Sequence, residues 1–285
     1  MAEKFQFIRF EGIQDGVARI VLARPEKRNA QNKSMLYELN DALDIASQDV
    51  NCKVIVLAAD GPDFSSGHDM KDRAPLTRKP VGTWAGFGQP GIEGHWAFEE
   101  ELYLGLCWRW RNIPKPTMVE VQGRVIAGGL MLVWPFDIII ASDDARFSDP
   151  VVAFGVNGVE YFGHPWEVGV RKAKEMLFTG EALTAEECKT LGMVNHVVSR
   201  EELKEFTMKM AKHIARQPML GLKLAKQSVN QMQDAQGLWP SLQAAMSLQH
   251  MGHAHERLIH ESAVEPEGGE KIKKQAKKKE SNKFD

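Results

Sequence analysis

Residues 125–137 read VIAGGLMLVWPFD, apolar almost from end to end apart from Gly128 and Gly129. A run of this kind has to be buried. A glycine inside a helix costs about 1 kcal/mol relative to alanine, so two adjacent ones predict a turn, or another group lying close to the backbone. Short strands and amphipathic helices alternate around this segment. FQFIRFEG and VARIVLARP near the start read as strands, Lys33–Ser47 has apolar residues at helical spacing, and Cys52–Asp60 is a β-branched run that reads as a buried strand. Further on, the pattern predicts a helix over Trp96–Arg111, a strand over Thr117–Gln122, a helix over Leu130–Pro135 and a strand over Phe136–Ala141. This alternation predicts an α/β domain. The Gly/Pro-rich stretch Arg73–Gly94 has no period and reads as a lid or binding loop.

From Lys172 onward the pattern is helical, with a capping box at Thr184 and Glu187 and two long segments, Arg200–Arg216 and Leu220–Ile259. The stretch from Glu265 is Lys-rich and poor in large apolar residues, and reads as a solvated or disordered tail. A net charge of -2 over 285 residues argues against a nucleic-acid partner, which would ask for a strongly basic face. Neither a signal-peptide core nor a bilayer-length apolar run is seen, so no membrane partner is expected. Cys52, Cys107 and Cys188 are far apart, with no CxxC and no histidine at ligand spacing. They read as reduced thiols of a cytoplasmic protein, and no metal site is expected.

Four stretches in order are more specific: LARPEKRNAQN (22–32), DFSSGHDMKD (63–72), KPTMVEVQGRVIAGGLMLVWPFDIIIASDDARF (115–147) and FTGEALTAEECKTLGMVNHVV (178–198). Together they resemble the crotonase (enoyl-CoA hydratase/isomerase) superfamily. The resemblance implies a crotonase-like spiral of ββα units over residues 1–199. It also implies a C-terminal helical region over 200–264 that trimerises, into a homotrimer or hexamer, followed by a tail over 265–285. The implied substrate is an acyl-CoA thioester, with coenzyme A as part of the substrate and no further cofactor, in lyase or isomerase chemistry such as that of fatty acid metabolism. Such chemistry passes through an enolate or tetrahedral oxyanion held by two backbone N–H groups, and losing one such donor costs about 3 kcal/mol of barrier. Matched to the family motifs, the donors are the amides of His68 and Gly128, so the thioester oxygen is expected to be what approaches the glycines. A helix starting there would point its positive end at the charge. Arg28 and Ala30 match the loop that wraps adenine and pantetheine. Ser66, His68, Asp69, Met70 and Lys71, with Met131 and Val151, complete the implied acyl-CoA contacts. Asp69 is expected to orient its loop, Lys71 is as readily an ordinary solvated lysine, and the His68 imidazole is more simply incidental to the role of its amide.

The family pattern then breaks. The two hydratase glutamates that hold the attacking water fall at Met131 and Val151 here. A general acid or base contributes about 10²–10⁴-fold, so ordinary hydration is put in doubt. Glu160 in VNGVEYFGHPWEV is the first replacement candidate, with Asp149 and Tyr161 behind it. The ordinary readings are a surface carboxylate for Glu160, a core aromatic with a satisfied hydroxyl for Tyr161, and a loop residue before Pro165 for His164. The aromatic helix HWAFEEELYLGLCWRWR is more simply core, and Glu99 to Glu101 reach a pocket only if that helix faces it. Two readings stay open: an acyl-CoA enzyme, including hydrolase, decarboxylase or C–C-cleaving types, or a catalytically silent acyl-CoA-binding homologue. A serine hydrolase using Ser65 or Ser66 is rejected for want of a G-x-S-x-G elbow.

Overall fold

The computed structural model describes residues 5–75, 78–83 and 86–278. β1 (Ile8–Gln14) turns into β2 (Val17–Leu22) through Asp15 and Gly16, whose φ angles of 53° and 79° suit a two-residue hairpin. α1 (Lys33–Gln48) follows, and the Asn32 side chain accepts the Met35 N–H at its start. β3 (Val54–Ala59) pairs parallel with β2, and residue alternation along it defines two cores. Ile55 and Leu57 join the larger core with α1, while Val54 and Val56 face a smaller one.

The expected helix over Trp96–Arg111 is present and begins earlier. α2 (Gly91–Glu99) runs on through a π-helical stretch (Glu100–Gly105) into α3 (Leu106–Arg111). β4 (Thr117–Val121) then adds to the first sheet, and β5 (Arg124–Ile126) leaves it for a second. β6 (Ile138–Ser142) and β7 (Arg146–Ser148) repeat that step. After α4 (His164–Val168) and α5 (Val170–Thr179), β8 (Leu183–Thr184) joins the second sheet. α6 (Ala185–Leu191) starts with the expected Thr184–Glu187 capping box, and β9 (His196–Val198) closes the first sheet. The larger sheet is ordered β1-β2-β3-β4-β6-β9, parallel from β2 onward, and the smaller β5-β7-β8. Isolated bridges, Ser65 to Val125 and Gln31 to His68, extend this pattern to the loops after β3 and β2. Each repeat thus gives the large sheet a strand and the small one a strand or a bridge, which is the expected ββα spiral.

α7 (Leu203–Ile214) covers the second face of the large sheet, where Leu203, Ala211 and Ala215 meet Val17, Val54, Val56, Met118 and Ile140. The long segment expected over Leu220–Ile259 is two helices, α8 (Met219–Ala235) and α9 (Leu238–His260), broken at Gly237 with φ of 100°. α8 buries no residue fully and is tied down by charge, through Lys226 to Asp137 at 2.9 Å and Asp234 to Arg111 at 2.9 Å.

Two further expectations need correction. Instead of a helix over Leu130–Pro135, a short 3-10 turn spans Ala127–Leu132. Its left-handed residue is Ala127, with φ of 48°, and not either glycine. The tail expected to lack structure from Glu265 carries α10 (Gly268–Lys278). The Glu265 N–H donates to the Phe154 carbonyl at 2.9 Å, and a Cβ on Gly268 would sit 2.5 Å from the Phe154 ring. Residues 279–285 lie outside the described residues. No helix among the described residues is long and apolar enough to cross a membrane.

Candidate active site

The candidate site forms where three successive repeats leave their loops side by side. After β2, Arg28 and Asn29 adopt left-handed φ angles of 52° and 50°. Backbone strain of this kind persists only where the surroundings over-determine it. The Asn29 side-chain amide donates to the Asp60 and Asp63 carbonyls, Arg24 holds the Ala30 carbonyl at 2.8 Å, and the Arg28 carbonyl receives the Ser66 N–H at 3.0 Å. The Arg28 side chain reaches Asp63 at 2.9 Å and is otherwise half exposed.

Gln31 ties the next two loops together. Its N–H donates to the Gly67 carbonyl and its own carbonyl accepts the Asp69 N–H, each at 2.8 Å. In such a parallel bridge the N–H of the intervening residue, His68, points away from Gln31. The buried Gln31 side chain donates to the Gly128 carbonyl at 2.6 Å. The 67–68 loop and the glycine turn are in contact, since a Cβ on Gly67 would meet the Ile126 carbonyl at 2.8 Å and the Gly128 nitrogen at 3.3 Å. Among the described residues neither the His68 N–H nor the Gly128 N–H is given to a backbone or side-chain acceptor.

The His68 side chain carries more than the sequence suggested. Its Nε2 lies 3.3 Å from Glu160 Oε2, and its ring stacks on Tyr103 at 3.9 Å. The ring also lies over Gly128, where a Cβ would fall 2.5 Å from Cε1 and 2.8 Å from Nδ1. The imidazole, rather than a thioester, is therefore what makes glycine necessary at Gly128 in this structure. Gly129 is required independently, because a Cβ there would meet the Ser65 carbonyl at 2.8 Å. The helix end invoked from sequence shrinks to one short 3-10 turn, so local N–H groups and not a long macrodipole face the site.

Burial pushes the His68 imidazolium down, but the charge and hydrogen bond of Glu160 outweigh it, leaving His68 raised above 6.5. With Nε2 directed at Glu160, Nδ1 is buried and has no hydrogen-bond partner. Burial, followed by the charges of Glu160 and Glu99, pushes the Tyr103 phenol well above its usual value. The wall is otherwise apolar. Met131 is fully buried, and its carbonyl accepts from the Cys107 thiol at 3.3 Å, a thiol that burial also pushes up. Val151 is half-buried at the head of a short turn, Val151–Phe154.

The other candidates fall elsewhere. Asp149 and His164 are both completely buried and paired at 2.8 Å. Asp149 also accepts the Val159 N–H at 2.9 Å and the Val151 N–H at 3.4 Å, so its oxygens are taken up fixing the chain on either side of Glu160. Tyr161 is a core aromatic, 2% exposed, whose phenol burial pushes upward. Asp69 does orient its loop, through Arg24 at 2.8 Å and the Lys71 N–H at 3.0 Å, while Met70 and Lys71 are exposed. Glu101 turns to the Gly/Pro-rich loop, accepting the N–H groups of Gly82 and Thr83 at 2.6 and 2.7 Å and the Tyr37 hydroxyl at 3.0 Å. Sequence reasoning missed Gln31 and Tyr103. Gln31 lay inside a quoted motif, as a polar residue in a loop otherwise rich in charge, but only the fold shows what its amide holds.

The comparisons fit this geometry. Residues 12–264 match the family model described as enoyl-CoA hydratase/isomerase. A Mycobacterium tuberculosis relative carrying the enoyl-CoA hydratase designation EchA13 is 41% identical over 88% of this chain and 82% of its own. The 1,2-epoxyphenylacetyl-CoA isomerase of Escherichia coli is 30% identical over 76% of this chain and 80% of its own. A solved Mycobacterium smegmatis structure assigned to an enoyl-CoA hydratase superposes with a TM-score of 0.83 at 45% identity, covering 91% of this chain and 99% of that one. A match over residues 12–264, relatives of 30% identity or more and a shared fold lead to one conclusion: the chain belongs to the enoyl-CoA hydratase/isomerase family.

Proposed function

We propose that this chain is an acyl-CoA enzyme in which the amides of His68 and Gly128 hold the thioester oxygen and the His68 imidazole moves the proton. One observation carries the reading: His68 Nε2 is held by Glu160 at 3.3 Å, Nδ1 has no partner, and the ring lies over Gly128. A carboxylate that fixes one imidazole nitrogen raises the basicity of the other and sets its direction. In the proposed step an α-proton passes from the acyl carbon to Nδ1. The electron pair moves onto the thioester oxygen, and the two N–H groups stabilise the enolate. Glu160, the first candidate from sequence, becomes the positioning partner of His68, and Asp149 with His164 fixes the segment that presents it.

The chemistry draws on no group beyond this chain and the coenzyme A thioester. Coenzyme A contacts are assigned to the Arg28–Ala30 loop, Ser66, Asp69, Met70 and Lys71, and the acyl wall to Met131 and Val151. Three buried thiols suit a reducing compartment such as the cytoplasm. The unpartnered apolar side chains of α8 and α9 support a homotrimer or hexamer.

Deuterium wash-in at the α-carbon tests the reading. Acyl-CoAs of straight-chain, β-keto, malonyl-type and cyclic classes are incubated in D2O and followed by mass spectrometry. Exchange with at least one class, falling by about 10²-fold or more in His68→Ala, is the expected result. Exchange unchanged in His68→Ala would remove the imidazole from the mechanism. Tight binding without exchange in any class would make the chain a binding protein.

A further inference from the structure

A second cluster of titratable side chains lies away from the thioester-facing loops, between α2 and α9. His95 and Glu99 are spaced i,i+4 on α2, and His250 and His253 i,i+3 on α9, so each helix presents two donors on one face. Three imidazoles converge on one carboxylate. His95 Nε2 lies 2.9 Å and His253 Nε2 3.3 Å from Glu99 Oε1, and His250 Nε2 lies 3.3 Å from Glu99 Oε2. Glu99, His250 and His253 are each more than nine-tenths buried.

As a hydrogen-bond network this cluster is poorly made. Glu99 Oε2, His253 Nε2 and both ring nitrogens of His250 have no aligned hydrogen-bond partner among the described residues. Buried polar atoms are paired in the large majority of cases, so four such atoms at one point call for an explanation. Their spacing supplies one. Zinc–nitrogen and zinc–oxygen bonds of about 2.0–2.1 Å place tetrahedral ligands roughly 3.3 Å apart; His95 and His253 lie at or just inside that separation from Glu99 Oε1, and the donors of His95, Glu99 and His253 all fall within 4.8 Å of one another. His253 is also set up as a ligand. Its Nδ1 lies 2.5 Å from the Ala263 carbonyl, which fixes the proton on Nδ1 and leaves the Nε2 lone pair facing Glu99.

We propose that His95, Glu99 and His253, with His250 as the fourth donor, form a binding site for a divalent transition-metal ion of the zinc class. The donor set of imidazoles and one carboxylate suits such an ion and disfavours calcium or magnesium, which take oxygen ligands. The role is structural. The ion pins α2 to α9, and α2 leads directly into the stretch carrying Tyr103, the residue stacked on His68. One contact must change on loading. Arg257 Nη2 lies 3.1 Å from His95 Nδ1 and favours the tautomer with its proton on Nε2. Binding moves that proton to Nδ1 and turns Arg257 away. The metal assignment does not rest on the reaction assigned above, although the Glu99 charge reaches His68 and Tyr103.

The test uses the full chain dialysed against EDTA and then against metal-free buffer. Cobalt(II) added to the wild-type protein should give visible absorption bands of a four-coordinate site at about one ion per chain, bleached by zinc(II). Zinc(II) at a hundredfold excess over its Kd should raise Tm by roughly 5–10 °C. His253→Ala and Glu99→Gln should lose both signals, while Arg257→Ala should bind at least as tightly as wild type. Absence of both the cobalt bands and the zinc-dependent shift in the wild-type protein overturns the proposal without any variant. So does binding that survives in His253→Ala, or that weakens in Arg257→Ala.

Discussion

His68 Nε2 stands 3.3 Å from Glu160 Oε2 across 92 residues of sequence. Neither residue sits at the places where the family pattern sets its hydratase glutamates, which here are Met131 and Val151. The pair comes together because two different repeats of the spiral leave loops at the same edge. The His68 loop is anchored by Gln31, and the Glu160 segment by the buried Asp149–His164 pair. The proposed mechanism separates two jobs, with oxyanion binding assigned to backbone N–H groups and proton transfer to a side chain.

The pH dependence follows from this pair. Glu160 holds the His68 imidazolium above 6.5, so the base becomes available only as pH rises through that raised value. A rate carried by neutral His68 should therefore climb with pH on a limb lying above 6.5. Glu160→Gln removes the largest of the charges that raise His68, leaving the smaller contributions of Glu99 and Asp149 against burial, so the limb should move to lower pH while the plateau rate falls. The same coupling has a stability side. A raised histidine contributes most below its unfolded value and loses that contribution as pH rises through its folded value. The stability difference between wild type and Glu160→Gln should thus shrink on going from mildly acidic to alkaline buffer. Kinetic profiles and thermal melts over the same pH range check both, and a limb that stays in place in the variant removes Glu160 from the pair.

Gly128 carries a prediction of its own. Even a single Cβ would lie 2.5 Å from the His68 ring, and a β-branched side chain fills the space the ring now occupies. Gly128→Val should lower turnover by about 10²–10³-fold or more, the range for losing an oxyanion donor, because both the ring and the approach to the N–H are displaced. The obstacle is the end of a side chain rather than packed backbone, so the fold should survive. Steady-state rates alongside far-UV circular dichroism make the measurement. A variant that stays active would show that neither ring nor N–H at this place matters.

Much of this was legible in the sequence, for identifiable reasons. Alternation in β2 and β3, the period of α1 and the Thr184–Glu187 capping box are local signals, and local physics decides them. The two site loops were legible because their motifs are short and specific. What failed depends on distant partners. Asp149 reads from sequence as a candidate acid or base, and only folding surrounds it with His164 and the Val159 N–H. The Gly128 requirement was read from sequence as a close approach, and the fold adds one that the sequence did not show, the ring of a side chain 60 residues upstream. His95, Glu99, His250 and His253 each looked unremarkable within its own helix, and their meeting is set by how α9 returns across α2.

Assembly should be visible in solution. Leu220, Leu224, Val229 and Met232 on α8 and Leu248, Met251, Leu258 and Ile259 on α9 are exposed in the single chain. A monomer seldom leaves so much apolar surface in contact with water, and α8 has spent its charged residues on ties to Asp137 and Arg111. Sedimentation at micromolar concentration should give a trimer or hexamer, and replacing Leu224 and Val229 together by Glu should drive the chain towards monomer. A wild-type protein that sediments as a monomer contradicts the assignment.

Hydration of crotonyl-CoA should be slow. The reaction needs a carboxylate to hold and deprotonate water against the β-carbon, and the two positions that supply it in family hydratases are the buried Met131 and the half-buried Val151. Each lost acid or base is worth about 10²–10⁴-fold, though groups that act together do not add. In the proposed arrangement His68 does not replace them, because one ring nitrogen is committed to Glu160 and the other is assigned to the α-proton. The native protein should therefore hydrate crotonyl-CoA several orders of magnitude more slowly than a glutamate-paired relative assayed beside it, while still exchanging the α-proton of its own substrate. The loss of enoyl absorbance on hydration and the mass shift on exchange give the two rates independently. Rapid hydration would mean that water is activated by a group outside the His68–Glu160 pair. Slow hydration with His68-dependent exchange would place the chain among family members that work through an enolate without adding water.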